Sequence, residues 1–359
     1  MSATFKPVRW GIVGLGWAAA DFVAPAMVKS SGSQIVACLG SAPEKTQAFA
    51  KRFNVARAHH DLSELMNDPA VDAVYIALPN AMHHEAVLAG ARANKHMLCE
   101  KPFAMRADHA REMADACKKA GVILRIAHQI RMDAAVTRAR EIVLSGRLGK
   151  IVEVMLERTS AMPPRKTWRL DNSQSGVMYD VGVHLLDLVQ WVSGQKYVEV
   201  SAFTNPDRRE GHADDTFTVL GRLQGGGHAQ VRATREVPQG ENNLLIEGSA
   251  ATLVTSPLRW VKEHIITVRD KDGATEERFP ASPAYELQVQ AFEGELQGKR
   301  SNLPDGDDSA YTVAVTHAVL QSINERRIVP VVASEWGRLQ GALSAPARQP
   351  CPPPDLGLT

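Results

Sequence analysis

The sequence has few cysteines, and their spacing matches no disulfide or metal-binding motif. Among its 359 residues only Cys38, Cys99, Cys117 and Cys351 are cysteines, and no two form a Cys-x-x-Cys pair. The first three lie in apolar periodic segments, which indicates reduced, mostly buried thiols rather than a disulfide framework. Reduced thiols are typical of a cytoplasmic protein, which is what we expect here. The first residues show no basic stretch followed by an apolar one.

An excess of one charge, a long apolar run and a metal-ligand pattern are also missing. Lys and Arg number 41 against 40 Asp and Glu, a net charge of +1, which gives no reason to expect nucleic acid or an anionic membrane as partner. No apolar run approaches the length of a membrane-spanning helix. The pairs His59-His60 and His83-His84 point their rings apart, and no cysteine or carboxylate set completes a metal site, so no metal is expected.

The chain instead has a regular alternation of strand and helix patterns in its first third. Such alternation predicts a parallel, doubly wound sheet with helices on its faces. The predicted strands are 8–13, 35–39, 72–78, 97–99 and 122–126, with a poorly marked one near 57–59. The predicted helices are 18–28, 43–53, 62–66, 82–93 and 107–120.

A glycine-rich turn follows the first predicted strand. The segment Gly14-Leu15-Gly16-Trp17-Ala18-Ala19 has the form G-x-G-x-x-A and opens a helix. Gly14 permits a tight turn, Gly16 lets a pyrophosphate approach the backbone, and Ala19 lets the helix pack closely on the strand. These residues predict a dinucleotide-binding site; the alternative is a glycine-rich turn in an unrelated α/β protein.

The end of the second predicted strand bears on which dinucleotide is bound. NAD sites usually place an acidic residue there for the ribose 2′-hydroxyl, whereas this chain has Gly40 and Ser41. A hydroxyl at Ser41 and a nearby cation, Lys45, suit a 2′-phosphate, which favours NADP(H) over NAD(H). The alternative is that Glu44 and Lys45 simply begin the next helix.

Two later turns lie at the carboxyl ends of successive predicted strands. Leu78-Pro79-Asn80 ends one, and Glu100-Lys101-Pro102 ends the next, where Pro102 keeps Lys101 out of helical geometry. Ligands bind at that edge of an open parallel sheet, so Lys101 is a candidate for a site. The alternatives are a surface lysine in a strand-to-helix turn and, for Asn80, a helix cap.

The rest of the chain predicts a second, mixed domain. A helix over 177–192 carries Asp180 and His184 four residues apart, hence on one face, where a carboxylate and an imidazole can tune a proton donor. A satisfied core histidine is the usual interpretation of such a pair alone, and Lys101 on the other domain weighs against it. Further helices are predicted over 132–145, 284–297 and 308–324, and strands over 151–158, 198–203, 217–223, 228–234, 243–248, 251–255 and 264–269.

The sequence resembles the Gfo/Idh/MocA oxidoreductase family. The matching pieces are Gly14–Ala19, Leu78-Pro79-Asn80-Ala81-Met82-His83, Cys99-Glu100-Lys101-Pro102 and Asp180-Val181-Gly182-Val183-His184, in the family's order. The implied fold is an α/β Rossmann domain plus an α+β domain with a large, mostly antiparallel sheet. We place the first over 1–126, the second, for substrate and oligomerisation, over 127–344, and an extended tail over 345–359.

The resemblance also implies roles. Lys101, Asp180 and His184 are the implied catalytic residues. The implied cofactor contacts are Gly14, Leu15, Gly16, Trp17, Ala18, Ala19, Ser41, Lys45, Leu78, Asn80, His83, Glu100, Lys101, Trp168, Arg169 and Tyr285. Trp168 and Arg169 lie in a basic, proline-bearing loop whose other interpretation is a solvated connection. The segment Ile126-Ala127-His128-Gln129 departs from the family's sugar reductases, which often carry an amide near the cofactor there, and its role stays open.

The predicted function is hydride transfer between nicotinamide, NADP(H) preferred, and a carbonyl or secondary hydroxyl of a sugar-like or polyol substrate. We expect no nucleic acid or membrane partner, and a homo-oligomer, dimer or tetramer, formed through the second-domain sheet. The competing class is a non-catalytic dinucleotide-binding sensor or scaffold. That class predicts loss of at least one of Lys101, Asp180 and His184, and all three are present.

Overall fold

The computed structural model describes residues 6–161, 176–205, 214–238, 240–256 and 262–331. Two sheets organise these residues, one in each predicted domain. Within these ranges no helix is both long enough and apolar enough to cross a membrane. The expected tail over 345–359 lies outside the described residues, as do Trp168 and Arg169.

The first sheet has six parallel strands in the order β3-β2-β1-β4-β5-β6. The strands are β1 Val8–Val13, β2 Ser33–Leu39, β3 Arg57–Ala58, β4 Ala73–Ile76, β5 His96–Cys99 and β6 Leu124–Ile126. The helices between them are α1 Ala24–Lys29, α2 Pro43–Phe53, α3 Leu62–Asn67, α4 His83–Arg92 and α5 Ala107–Ala120. Because strand order reverses between β1 and β4, their carboxyl ends border the ligand crevice of a doubly wound sheet.

The second sheet has nine strands and is antiparallel except where β7 and β10 run side by side. Its first strands are β7 Ile151–Thr159, β8 Tyr197–Thr204, β9 Thr216–Leu223 and β10 His228–Thr234. The others are β11 Asn242–Gly248, β12 Ala251–Ser256, β13 Glu263–Asp270, β14 Gly273–Pro280 and β15 Val329–Pro330. Helices α6 Ala134–Leu144, α7 Val183–Ser193, α8 Ala284–Leu296 and α9 Gly306–Glu325 accompany it. The expected α/β plus mostly antiparallel α+β architecture is confirmed.

The last two helices return to the first sheet. Phe292 of α8 packs on Trp10 of β1, with ring centroids 5.1 Å apart, and both side chains are fully buried. Ala310 and Val313 of α9 join the apolar core formed by the other side of the same sheet. Burial of these side chains removes apolar surface of both domains from water, so the two sheets share part of their hydrophobic stabilisation.

Candidate active site

A cleft of about 720 Å³ runs along the carboxyl ends of β1, β2, β4 and β5. The predicted cofactor residues that line it are Gly14, Leu15, Gly16, Trp17, Ala18, Ser41, Lys45, Leu78, Asn80, Glu100 and Lys101. Lys45 donates a hydrogen bond to the Ser41 hydroxyl over 3.4 Å. The structure therefore gathers onto one wall residues that lie as much as 87 positions apart in the sequence.

The two glycines of the first turn differ in what surrounds them. Gly14 has φ of +88°, and a Cβ there would lie 2.4 Å from the Ala77 carbonyl oxygen. Gly16 has open space where a Cβ would be, with no atom within 4 Å. Gly14 thus makes the sharp turn sterically possible, whereas Gly16 leaves bare backbone facing the cleft. A dinucleotide pyrophosphate fits such a surface, because only a backbone without a side chain allows close approach.

Three predicted cofactor residues lie elsewhere. Ala19 is fully buried in the apolar core. His83 is also fully buried, and its two ring nitrogens lie 2.9 Å from the Pro102 carbonyl and 3.0 Å from the Leu78 carbonyl. Burial lowers the pKa of His83, while the two backbone carbonyls act in the opposite direction. The ring thus lies between the two turns that carry Asn80 and Lys101, and in its neutral form it donates to one of the two carbonyls.

Tyr285 lines a second cavity, of about 590 Å³, rather than the cofactor cleft. Its ring stacks on Phe22, with centroids 4.9 Å apart, and its hydroxyl accepts a hydrogen bond from the Gln129 side-chain amide over 3.3 Å. Gln129 is therefore engaged with Tyr285, a contact that the sequence left open.

Lys101 crosses from the first domain to the second. Its ammonium donates to the backbone carbonyl of Asp180 over 2.7 Å and to the Asp180 carboxylate Oδ1 over 3.1 Å. Behind it, Glu100 is fixed by the Tyr75 hydroxyl, which donates to Oε1 over 2.7 Å. Lys101 is thus held at one position on the cleft wall, between a turn of the first domain and a helix of the second.

A second cation completes the surroundings of Asp180. Arg235, directly after β10, donates from Nη2 to Asp180 Oδ2 over 2.9 Å and also to the Gly176 carbonyl over 3.3 Å. The Lys101, Asp180 and Arg235 side chains are 14%, 19% and 11% exposed. With all three ionised they carry one net positive charge in a largely desolvated place, which suits an oxygen that gains negative charge.

The turn that carries Asp180 is set by Gly176 and Asp214. Residues Met178–Gly182 form a π-helical turn ahead of α7. The Asp214 carboxylate accepts from the Met178 backbone N–H over 2.9 Å, and its backbone carbonyl accepts from Val177 over 2.8 Å. Gly176 has φ of +109°, and a Cβ there would overlap the Asp214 side chain. Gly176 is therefore a glycine that the turn requires.

His184 lies in a buried polar cluster, and it is absent from the described residues that line the cleft. Its residue is 2% exposed, and its Nδ1 lies 3.2 Å from Nδ1 of His128, which is also 2% exposed. Asp187, one helical turn further along α7, binds the guanidinium of Arg131 through both oxygens at 2.7 and 2.6 Å. The structure thus brings Lys101 to Asp180 and brings His184 to His128.

Several residues around the cleft were not predicted. His60, Asp61 and Tyr179 line it, and Arg235 reaches Asp180 from the second sheet. For Asp61 the sequence gives one indication, its position directly before α3, where it caps the helix by accepting a hydrogen bond from the Glu64 N–H. For Arg235 the sequence gives no indication, because nothing near it in the sequence resembles a motif. Among the described residues no group of histidine, cysteine and carboxylate side chains has the arrangement of a metal site.

Comparisons with known proteins give consistent results. Residues 8–128 match the model of the oxidoreductase family with an NAD-binding Rossmann fold, GFO/IDH/MocA, and 136–254 match its C-terminal domain. The 1,5-anhydro-D-fructose reductase of Ensifer adhaerens is 31% identical over 88% of this chain and 96% of its own. The trans-1,2-dihydrobenzene-1,2-diol dehydrogenase of Bos taurus is 28% identical over 91% and 93%. Among solved structures, the aldose-aldose oxidoreductase of Caulobacter crescentus superposes with a TM-score of 0.82 at 24% identity, covering 90% of this chain and all of that one.

Proposed function

Because the chain belongs to the Gfo/Idh/MocA family of oxidoreductases, we propose that it interconverts a carbonyl and a secondary hydroxyl on a sugar-like or polyol substrate, with NADP(H) preferred. The observation that carries the proposal is the placement of Lys101. Its ammonium is held by Asp180 on the wall of the same cleft that presents the bare backbone at Gly16. A cation fixed beside a dinucleotide cradle is what polarisation of a reacting oxygen requires.

A nicotinamide dinucleotide supplies or accepts the hydride when it is bound. The residues that would hold it are those of the glycine turn, with Ser41 and Lys45 toward the adenosine ribose and Asn80 and Glu100 further along the cleft. These residues fit the group, since they form one continuous wall with open space at Gly16.

The chain's own residues handle the substrate oxygen and its proton. Lys101 binds and polarises that oxygen, and Asp180 fixes Lys101 and orients the substrate. His184, four residues after Asp180, is the proposed proton donor in the reducing direction and acceptor in the oxidising direction. Because it is 2% exposed and does not line the cleft as described, this role requires its imidazole to reach the substrate oxygen beside Lys101 when the cleft is loaded. Arg235 holds the second oxygen of Asp180 and so keeps the carboxylate turned toward Lys101.

The preference for NADP(H) is supported by the residues near the end of β2. Neither Gly40 nor Ser41 is acidic, and Lys45 places a cation 3.4 Å from the Ser41 hydroxyl. Asp61 lines the same cleft, but its Oδ1 accepts from the Glu64 N–H in the cap of α3. A cation and a hydroxyl side by side favour a 2′-phosphate over a hydroxyl.

The test is a screen of sugars, polyols and dicarbonyl sugars with NADPH and NADP⁺, reading the absorbance of the reduced cofactor. On a substrate found in this way, Lys101→Met should lower turnover by about 10²-fold or more, the scale of a positioned acid–base or electrostatic group. Its dissociation constant for NADPH should stay within a few-fold of the unmodified protein. Lys119→Met, an exposed lysine on α5, is the matched control and should leave turnover unchanged. Tight NADPH binding with no turnover on any carbonyl or hydroxyl substrate would favour the sensor.

We also propose a homo-oligomer formed through the second sheet. Phe203 of β8 and Leu220 of β9 are large apolar residues on neighbouring strands, and they are 66% and 50% exposed. Light scattering after size-exclusion chromatography should give at least a dimer, and Phe203→Glu should shift it toward the monomer. A monomer at micromolar concentration in the unmodified protein would contradict this proposal.

A further inference from the structure

His128 lies between the two domains and contacts the proposed proton donor. It follows β6 directly and precedes the short helical turn Gln129–Met132. Its imidazole meets that of His184 edge to face, at an interplanar angle of 89° with centroids 5.1 Å apart. The two Nδ1 atoms are 3.2 Å apart, so a single proton lies between them: one Nδ1 donates and the other accepts.

Burial and the neighbouring charges determine the protonation state of His128. Burial, together with the positive charges of Arg131 and Lys101, lowers the pKa of His128 to about 4, although Asp187 acts in the opposite direction. His128 is therefore neutral at physiological pH and has one nitrogen free to accept. Asp187 does not accept a hydrogen bond from its Nδ1, because the carboxylate Oδ2 is 3.8 Å away, beyond hydrogen-bond distance.

The proton balance of the proposed reaction then decides the direction of the hydrogen bond. If His128 donated to His184 Nδ1, His184 would carry its only proton on Nε2 and would become an imidazolate on giving it up. If His184 donates instead, it gives up the Nε2 proton as an imidazolium and remains a neutral ring with Nδ1–H. Only the second arrangement avoids an anionic imidazole in a buried place.

We propose that His128 is a positioning residue whose Nδ1 accepts the Nδ1–H of His184, so that Nε2 of His184 is the nitrogen that exchanges the proton with the substrate. The inference rests on the proposed function, since it needs His184 as the proton donor. In the reducing direction the Nε2–H bond breaks, an O–H bond forms on the substrate, and the Nδ1–H bond to His128 is kept throughout. His128 itself neither gains nor loses a proton.

The direct test is nuclear magnetic resonance of the free protein labelled with ¹⁵N-histidine, with the His184 signals identified by their absence in His184→Asn. Above the pKa of His184, its neutral ring should be protonated on Nδ1 and bare on Nε2. The reverse tautomer would overturn the proposal. This measurement uses the unmodified chain, so it stands even if a His128 variant fails to fold.

Two variants connect the tautomer to the reaction. His128→Phe keeps a flat ring without an acceptor, so the apparent pKa of His184 should fall by about one unit or more and kcat/KM at neutral pH by about tenfold to 10²-fold. His128→Asn places an amide oxygen near the position of Nδ1 and should restore most of both. The dissociation constant for NADPH should stay within a few-fold in each variant.

The outcomes separate this inference from the proposed function. If His184→Asn kept full turnover, the assignment of His184 as proton donor would fail, whatever its tautomer. If His184→Asn lost turnover while His128→Phe changed neither the pH profile nor the tautomer, the role of His128 alone would fail.

Discussion

Removing the carboxylate of Asp187 should be among the most destabilising single changes near the site. Asp187 and Arg131 are 1% and 5% exposed in their side chains, and two hydrogen bonds of 2.7 and 2.6 Å join them. Asp187→Asn keeps the size and one acceptor oxygen but leaves the guanidinium buried without its counter-charge. Breaking a buried pair in this way costs about 3 to 5 kcal/mol.

The surroundings of Arg131 determine how much unfolding free energy the Asp187→Asn variant loses. Its guanidinium lies 5.4 Å from the centre of the Trp191 ring, which Arg140 approaches at 4.9 Å, so a second cation is close. The next carboxylate, Asp308, is 3.9 Å away, but its side chain is 46% exposed and so compensates weakly. We therefore expect a loss of at least about 3 kcal/mol in the free energy of unfolding.

The assay is equilibrium urea unfolding followed by tryptophan fluorescence and circular dichroism, compared where the two transitions coincide. The control is Asp307→Asn, which removes a half-exposed carboxylate paired with Lys118 and Arg111 and should cost less than about 1 kcal/mol. The double variant Arg131→Met, Asp187→Leu should recover most of the lost stability, because no charge is then left buried. A single variant as stable as the control, or a double variant no better than the single, would refute this account.

Three further predictions concern the cofactor turn, the end of β2 and the buried histidine. Gly14→Ala should destabilise the fold, because its Cβ meets the Ala77 carbonyl at 2.4 Å, whereas Gly16→Ala should fold normally yet bind NADPH at least about tenfold more weakly by calorimetry. The unmodified protein should have a lower dissociation constant for NADPH than for NADH, and Ser41→Asp should narrow or reverse that difference. Equal constants in the unmodified protein would contradict the proposed preference. The pKa of His128 is lowered from 6.5 to about 4, so its contribution to stability is complete above pH 7 and is lost as pH falls from 6.5 toward 4, by about 3 kcal/mol in all. Urea titrations at pH 7.5 and 4.5 should show a smaller drop in His128→Asn; an equal drop would count against the buried neutral ring.

Local signals account for the elements that the sequence predicted with accurate bounds. The helices Pro43–Phe53 and Ala107–Ala120 have those limits because Pro43 suits a first helical turn and because Asn54 and Gly121 end the helices in left-handed geometry. The glycine turn and the turn before Pro102 were equally local. By contrast, the residues of the strand Gly273–Pro280 are mostly exposed and show no clear apolar alternation, and its extended form comes from pairing with β13 across the turn.

The site was predictable only where a motif carried it. Lys101 and Asp180 belong to recognisable segments, and their meeting follows from the fold. Arg235 and His128 lie 55 and 56 residues from their partners Asp180 and His184, and no spacing connects them. Such contacts depend on how distant parts of the chain pack in three dimensions, which periodicity along the sequence does not encode. The π-helical turn at Met178–Gly182 was likewise predicted as ordinary helix, since its wider geometry depends on Asp214 from another part of the chain.

The return of the last two helices to the first sheet has a consequence for synthesis of the chain. The ribosome synthesises the glycine turn, Ser41 and Lys101 long before it synthesises Phe292 and Val313. The side chains of Phe292 and Val313 complete the hydrophobic core of the first sheet. Until then Trp10 has no ring to cover it, and the nascent nucleotide domain keeps an apolar surface open to water and to chaperones. The first domain is therefore synthesised first, but its hydrophobic core is complete only after α8 and α9 have been synthesised.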